Sequence, residues 1–252
     1  MSGSFDEVAE ALAAQATTAD AEFLPRFFKT GPGEYGEGDV FLGVRVPATR
    51  RVVAAFRGLP DADVDRLLDS PVHEHRLAGL LMMVDEYLRV SRVRGRDEAR
   101  RRDLHGRYLA AVLRGRVNNW DLVDSSAEYL IGGYLLDTPA GPTAGTDLTL
   151  VDALVADPDL WRRRVGILAT FAWTKAGLAA PALAAAASVL DDPRDLIHKA
   201  SGWMLREAGN RADRAALIAF LDEHAAQMPR TMLSYATEHL SSEVRAHYRS
   251  LR

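Results

Sequence analysis

Apolar residues recur at intervals of three and four along almost the whole chain, and sustained period-two alternation is absent, so the pattern predicts helices throughout. The punctuation agrees. Proline stands behind a plausible cap or turn at Pro47, Ser70-Pro71, Asp157-Pro158, Asp192-Pro193 and Met228-Pro229, where it is expected at the first helical position. Gly58, Gly177 and Gly209 stand where helices should stop. The expected spans are 4–16, 20–28, 47–57, 61–69, 71–91, 97–114, 119–136, 147–156, 158–175, 180–190, 193–208, 212–225 and 229–248, which give eleven or twelve paired helices once some merge or break.

Three of these helices begin alike: S-P-V-H-E-H-R-L-A-G from Ser70, D-P-D-L-W-R-R-R-V-G from Asp157 and D-P-R-D-L-I-H-K-A-S from Asp192. In each, a basic or imidazole residue (Arg76, Arg163, His198) follows the proline by five positions. The motifs lie 87 and 35 residues apart, and the first interval has room for two repeats of about 43. Helical hairpins of that period stack as HEAT-type repeats. The expected fold is therefore all-α, a single domain over 1–252 forming a right-handed α-solenoid with a concave basic face. On that face Trp120 and Asp124, Arg163 and Arg164, and His198, Lys199 and Trp203 are expected to converge.

Two stretches, 29–43 and 138–146, do not fit the repeat, whereas the Trp120 helix would be its middle member. From Arg116 to Tyr134 the chain reads R-V-N-N-W-D-L-V-D-S-S-A-E-Y-L-I-G-G-Y, a helix opening at Asn118 or Asn119 with Asn as N-cap. Trp120 and Asp124 then share a face near its start, where the dipole favours a carboxylate, and together offer an aromatic plane and an anion to a cation. The plainer alternative makes Trp120 a core anchor and Asp121 or Asp124 a capping carboxylate. From Lys29 to Gly43 the chain carries five glycines, a loop of unusual backbone angles suited to close approach of a ligand. It lacks the order of a nucleotide-phosphate loop, and Glu34, Glu37 and Asp39 there read as solvated loop carboxylates sooner than as a cation site. Thr138 to Thr146 reads as a linker.

Composition changes this picture at a few points. With 252 residues and 48% hydrophobic content a sizeable core is assured, and the absence of cysteine removes disulfides, thiolate nucleophiles and cysteine metal sites. No signal peptide is read at the start, and the longest apolar tract, 177–190, is Ala-rich, interrupted by Pro181 and shorter than the ~20 residues a bilayer needs, so a cytoplasmic protein without membrane partners is expected. Net charge is −4, but ten arginines between 89 and 116 face only Asp97, Glu98 and Asp103, making that segment about +7 and the remainder about −11. That patch reads either as a polyanion-binding surface or as a solvated helix pair. His73 and His75 lie two apart and cannot share a helix face, no H-E-x-x-H or G-x-S-x-G occurs, and neither metal nor cofactor is expected.

F-F-K-T-G-P-G-E-Y-G-E-G-D-V-F-L-G-V-R-V-P from Phe27, N-N-W-D-L-V-D-S-S from Asn118, L-W-R-R-R-V-G-I-L from Leu160 and L-I-H-K-A-S-G-W-M-L-R-E from Leu196 together resemble the bacterial DNA alkylation repair enzymes of the AlkD type, over about residues 20 to 240. The resemblance implies a HEAT-like solenoid that removes positively charged N3- or N7-alkylated purines from duplex DNA, a monomer working at the bacterial nucleoid. It assigns the catalytic roles to Trp120, Asp124, Arg164 and Trp203. The chain departs from the nearest-compared member in its longer glycine-rich loop and in Phe27, where that member has tyrosine.

The chemistry suits those residue types. A cationic alkylpurine leaves without being protonated, so the deoxyribose needs the help: as the glycosidic bond lengthens, a carboxylate such as Asp124 stabilises the oxocarbenium-like sugar and orients water. The faces of Trp120 and Trp203 attract the same cation. Arg164 would hold a phosphate near the lesion, and Arg163, Lys199, His198, Arg116, Arg114 and Lys29 would add backbone contacts without sequence information. By the same resemblance the base stays stacked and is not flipped out. Trp161 and Trp173 read as core, and Arg206 with Glu207 as a salt-bridged helix face. Two rivals remain at this point: a non-catalytic HEAT-repeat module binding damaged or branched DNA, and a protein-binding scaffold.

Overall fold

The structure, a computed structural model, describes residues 3–137 and 147–251; the expected linker at 138–146 lies outside the described residues. Among the described residues every regular element is helical, and extended pairing is limited to an isolated parallel bridge between Val40 and Val72. The chain divides into two compact units, 1–126 and 127–252.

The first unit holds α1 (Phe5–Ala13), α2 (Thr18–Phe23), a 3-10 turn (Leu24–Phe27), α3 (Val46–Ala55), α4 (Asp61–Asp69), α5 (His73–Val90), α6 (Glu98–Leu113) and α7 (Trp120–Asp124). Its central element is α5, against which α1, α3, α4, α6 and α7 pack. Every residue from Leu77 to Val84 is buried, as expected of a helix apolar on all sides. α1 starts with a capping box, the Ser4 hydroxyl taking the Glu7 N–H while the Glu7 carboxylate takes the Ser4 N–H.

The second unit holds a π-helical turn (Glu128–Gly133), α8 (Tyr134–Leu136), α9 (Thr149–Ala156), α10 (Leu160–Ala169), α11 (Phe171–Lys175), α12 (Ala180–Ala187), α13 (Asp195–Arg211), α14 (Arg214–His224), α15 (Arg230–Ala236) and α16 (Ser242–Ser250). Here α13 is central, packed by α10, α11, α12, α14 and α15 around a core that includes Leu205, Leu217, Phe220, Leu221 and Met232. Trp161 and Trp173 are buried, as the sequence suggested.

Several expected helices are interrupted, each for a local reason. The span expected at 119–136 becomes α7 followed by the π turn, because the Ser125 and Ser126 hydroxyls donate back to the carbonyls of Asp121 (2.5 Å) and Leu122 (2.6 Å). In the π turn a Cβ on Gly132 would stand 2.1 Å from the Ala169 carbonyl oxygen, so this turn presses directly on the backbone of α10. The span at 158–175 splits at Thr170, whose buried hydroxyl donates to Ile167 O at 2.6 Å. That at 229–248 splits into α15 and α16, where Ser241 caps the second piece. Gly209 does not stop its helix, which runs to Arg211; the glycine admits Leu217, whose Cδ2 would be 2.2 Å from an added Cβ. Gly58 and Gly177 do end helices, with φ of 83° and 86°.

The proline motif also has a physical origin. Helices α5, α10 and α13 begin two residues after Pro71, Pro158 and Pro193, not at the prolines themselves. In each case the basic residue five positions past the proline reaches back to the carbonyl of the residue before it. Arg76 donates to Ser70 O at 3.0 Å, Arg163 to Asp157 O at 3.1 Å, and His198 bonds to Asp192 O. The residue before a proline is held extended, and its carbonyl cannot enter the following helix; the side chain satisfies it.

Candidate functional site

The glycine-rich loop of the first unit is organised by carboxylates from below. Glu74, buried at the start of α5, accepts the backbone N–H of Leu42 at 3.0 Å, Gly43 at 2.9 Å and Val44 at 3.1 Å. Asp39 inside the loop pairs with Arg76, accepts Asn119 Nδ2 at 3.0 Å and meets His73 Nδ1 at 3.1 Å. Burial opposes the charge of Asp39, but its bond to His73 and the adjacent Arg76 outweigh this and hold it below the usual carboxylate range. Glu34 and Glu37 accept the N–H of Gly31 and Gly33, both at 2.9 Å. The loop is thus built on carboxylates, its own Glu34, Glu37 and Asp39 together with Glu74 of α5. Gly43, at φ 87°, lies so close to the α2 entry that an added Cβ would be 2.4 Å from Ala21 N.

This loop meets α7 at Trp120. Asn119 is the N-cap, its side chain taking the Trp120 N–H at 2.9 Å, as the sequence indicated. The indole stacks on Phe28, centroids 5.2 Å apart and planes 10° from parallel, and its Nε1 donates to Phe27 O at 3.3 Å. Trp120 is half-buried. It is neither a core anchor nor a loose surface ring.

Asp124 stands one turn later, also half-buried, as the last residue of α7. The N-terminal dipole expected to favour it therefore acts on Asp121 instead, which accepts Leu122 N at 2.8 Å and bonds His73. Burial pushes the Tyr108 phenol upward and the Asp124 charge adds to the shift.

In the second unit the other two sequence-assigned residues are oriented by similar means. Trp203 donates Nε1 to Glu207 Oε1 at 3.2 Å, with Phe171 at 6.0 Å between centroids. Glu207 also binds Arg206 at 3.0 Å and Arg211 at 2.6 Å, the salt-bridged helix face that was expected, here with Trp203 added. Each tryptophan thus spends its N–H on the protein, which fixes the ring plane. Arg164 is 4% exposed and donates to Leu196 O at 2.6 Å.

The residues expected at DNA phosphates are mostly engaged in the chain. Arg163 pairs with Asp192 and Lys199 with Asp195 at 2.9 Å; Arg114 and Arg116 both reach Asp69, at 3.4 and 3.2 Å. Lys29 is exposed at φ 45°. Within the arginine-rich segment, Arg100 pairs with Asp61, Glu86 and Asp103, and Arg107 with Asp61 and Asp65. The acids of α4 thus neutralise much of the patch. Arg92, Arg94 and Arg102 are exposed, and no ion pair is formed by them among the described residues.

Sequence reasoning missed His73, Glu74 and the structural part played by Asp39 and Asp121. The signal was present: four polar residues, His73 to Arg76, open a helix whose next eight residues, 77–84, are apolar, so each had to find a buried partner.

A model of the DNA alkylation repair enzyme family matches residues 8–240. Among solved structures, a chain described as a predicted DNA alkylation repair enzyme from Enterococcus faecalis is similar at a TM-score of 0.63 and 13% identity, over 90% of this chain and 98% of that one. At such identity the likeness is one of fold. No curated protein matches. With the family model spanning nearly all of its length, the chain belongs to the DNA alkylation repair enzyme family.

Proposed function

We propose that this protein is a DNA glycosylase that excises positively charged N3- or N7-alkylated purines from duplex DNA, on a scaffold of HEAT-like repeats. The observation that carries the reading is the pairing on α7 of a half-buried indole, locked by Phe28 and Phe27 O, with a half-buried carboxylate one turn on. Such a pair suits a cationic, flat-sided transition state and offers nothing to a phosphate. Membership of an alkylation repair family supplies the DNA and the class of damage.

In this reading Asp124 stabilises the developing oxocarbenium charge and holds the attacking water. Trp120 and Trp203 present ring faces to the sugar and the lesion, their planes fixed by the N–H bonds to Phe27 O and Glu207. Arg164 acts through its field: as a buried guanidinium it is weakly screened and draws the phosphodiester beside the lesion. Lys29, Lys199, Arg114, Arg116, Arg163 and His198 are assigned to further backbone contacts, the exposed ones exchanging weak surface ion pairs for phosphate. Because no protonation of the leaving base is invoked, uracil and 1,N6-ethenoadenine are expected to be poor substrates.

The test is single-turnover release of N7-methylguanine from duplex DNA by wild type and Asp124→Asn at saturating enzyme, with binding measured alongside. Loss of this one electrostatic contact is expected to slow release by on the order of 10²–10³ while leaving affinity unchanged. Equal rates would remove Asp124 from the chemistry. A wild type that binds DNA but releases nothing would establish the non-catalytic binding module in place of the enzyme.

A further inference from the structure

One group beside Trp120 has no part in the proposed chemistry. His73 is 2% exposed, and both its ring nitrogens meet carboxylates, Nδ1 with Asp39 at 3.1 Å and Nε2 with Asp121 at 2.8 Å. Two acceptors on two nitrogens call for two N–H donors, which only the imidazolium has. Phe41 stacks on this ring at 4.6 Å and 20°, Phe28 packs against it at 4.8 Å, and Phe28 in turn stacks on Trp120. The imidazole is therefore both the bridge between loop and helix and a member of the ring column that ends at the indole.

We propose that His73 is the positioning residue for Trp120: by joining Asp39 of the glycine-rich loop to Asp121 of α7, it sets the Phe41–His73–Phe28–Trp120 column and so the plane that the indole presents. The glycosylase reading is needed only for what the indole does to DNA; its placement is a separate matter. The charged groups around the ring are Asp39 from the loop, Asp121 from α7 and Arg76 from its own helix. Glu74 is occupied by loop N–H groups, and His75 bonds Ser70 Oγ at 2.9 Å. Burial disfavours the imidazolium, but the bonds to Asp121 and Asp39 outweigh it and raise the pKa from 6.5 to about 9. Deprotonation would turn a lone pair toward one of the carboxylates and release either the loop or the start of α7.

The test follows the Trp120 indole N–H in ¹⁵N-resolved spectra, assigned by its loss in Trp120→Phe, beside single-turnover base release and DNA affinity. His73→Gln and Asp39→Asn should each shift or broaden that signal while the other indoles keep theirs. Release should slow on the order of 10- to 100-fold with affinity within about a factor of two, since a misplaced ring costs rate and not binding. The wild-type signal should also titrate near the His73 pKa, a measurement that needs no variant and so survives a failure of either to fold. An indole signal indifferent to both substitutions and to pH would overturn the proposal, whereas a moved signal with an unchanged rate would uphold the placement and remove the indole plane from the chemistry. A wild type that releases no base would refute the glycosylase reading alone, and the indole signal would still decide the placement.

Discussion

A carboxylate that accepts three backbone N–H groups does for a loop what a cap does for a helix, and Glu74 does this for Leu42, Gly43 and Val44. Glu74→Gln keeps the shape but removes the charge and can turn an amide toward those donors. It should cost about 1–3 kcal/mol of unfolding free energy, read from urea denaturation; a change inside the error of that measurement would show that the loop holds itself. The sequence placed Asp39 in a loop but read it as solvated, whereas its side chain is 5% exposed and paired with His73, Arg76 and Asn119, 34 to 80 residues away, a separation at which no local pattern pairs groups. His73 carries a pH signature as well. Its folded pKa of about 9 exceeds the ordinary 6.5, so its stabilisation is complete below pH 6.5 and is lost as pH rises through about 9. The thermal midpoints of wild type and His73→Gln should differ most at pH 6 to 6.5 and converge above about pH 10. A gap that widens with pH would mean the imidazole is buried neutral.

Helices as elements were legible because apolar spacing and proline survive any tertiary context; their interruptions were not. Ser125, Ser126 and Thr170 look like ordinary helix residues in sequence, and only the structure shows their hydroxyls turned back onto the preceding turn. Similarly, Gly209 read as a stop because glycine usually ends helices, whereas here the side chain of Leu217 requires its missing Cβ. The distinction between a glycine that packs and one that merely weakens a helix is testable. Gly132→Ala would drive a Cβ to 2.1 Å from Ala169 O and should destabilise by about 1–3 kcal/mol. Gly106→Ala in α6, where nothing lies within 4 Å of the added atom, should instead stabilise by about 0.5–1 kcal/mol. Calorimetric midpoints moving in the same direction for both would contradict the close packing of the π turn on α10.

For the molecule as a whole the sequence disclosed the charge segregation but not its compensation. An arginine-rich segment of about +7 looks like a polyanion site until α4 supplies Asp61, Asp65 and Asp69 from some forty residues upstream. Burial then separates the arginines by function. Arg100 and Arg107 are mostly covered and bound to two or more carboxylates each, so removing one leaves acids unpaired and should cost stability. Arg114 and Arg116 share one exposed aspartate, and Lys199 has an exposed helical pair, contacts that contribute little in water and can be given up to a phosphate. DNA affinity should therefore fall steeply and linearly in log–log form with salt. Lys199→Ala and Arg116→Ala should each lower the slope by ~0.9, uniformly for damaged and intact duplex, because a lost phosphate contact releases one fewer set of counterions. Arg100→Ala should leave the slope unchanged while lowering the melting temperature. If the order were reversed, with Arg100 setting the slope and Lys199 and Arg116 without effect, the ion pairs of α4 and α6 would have to open on DNA, and the assignment of Lys199 and Arg116 to backbone contacts would be wrong.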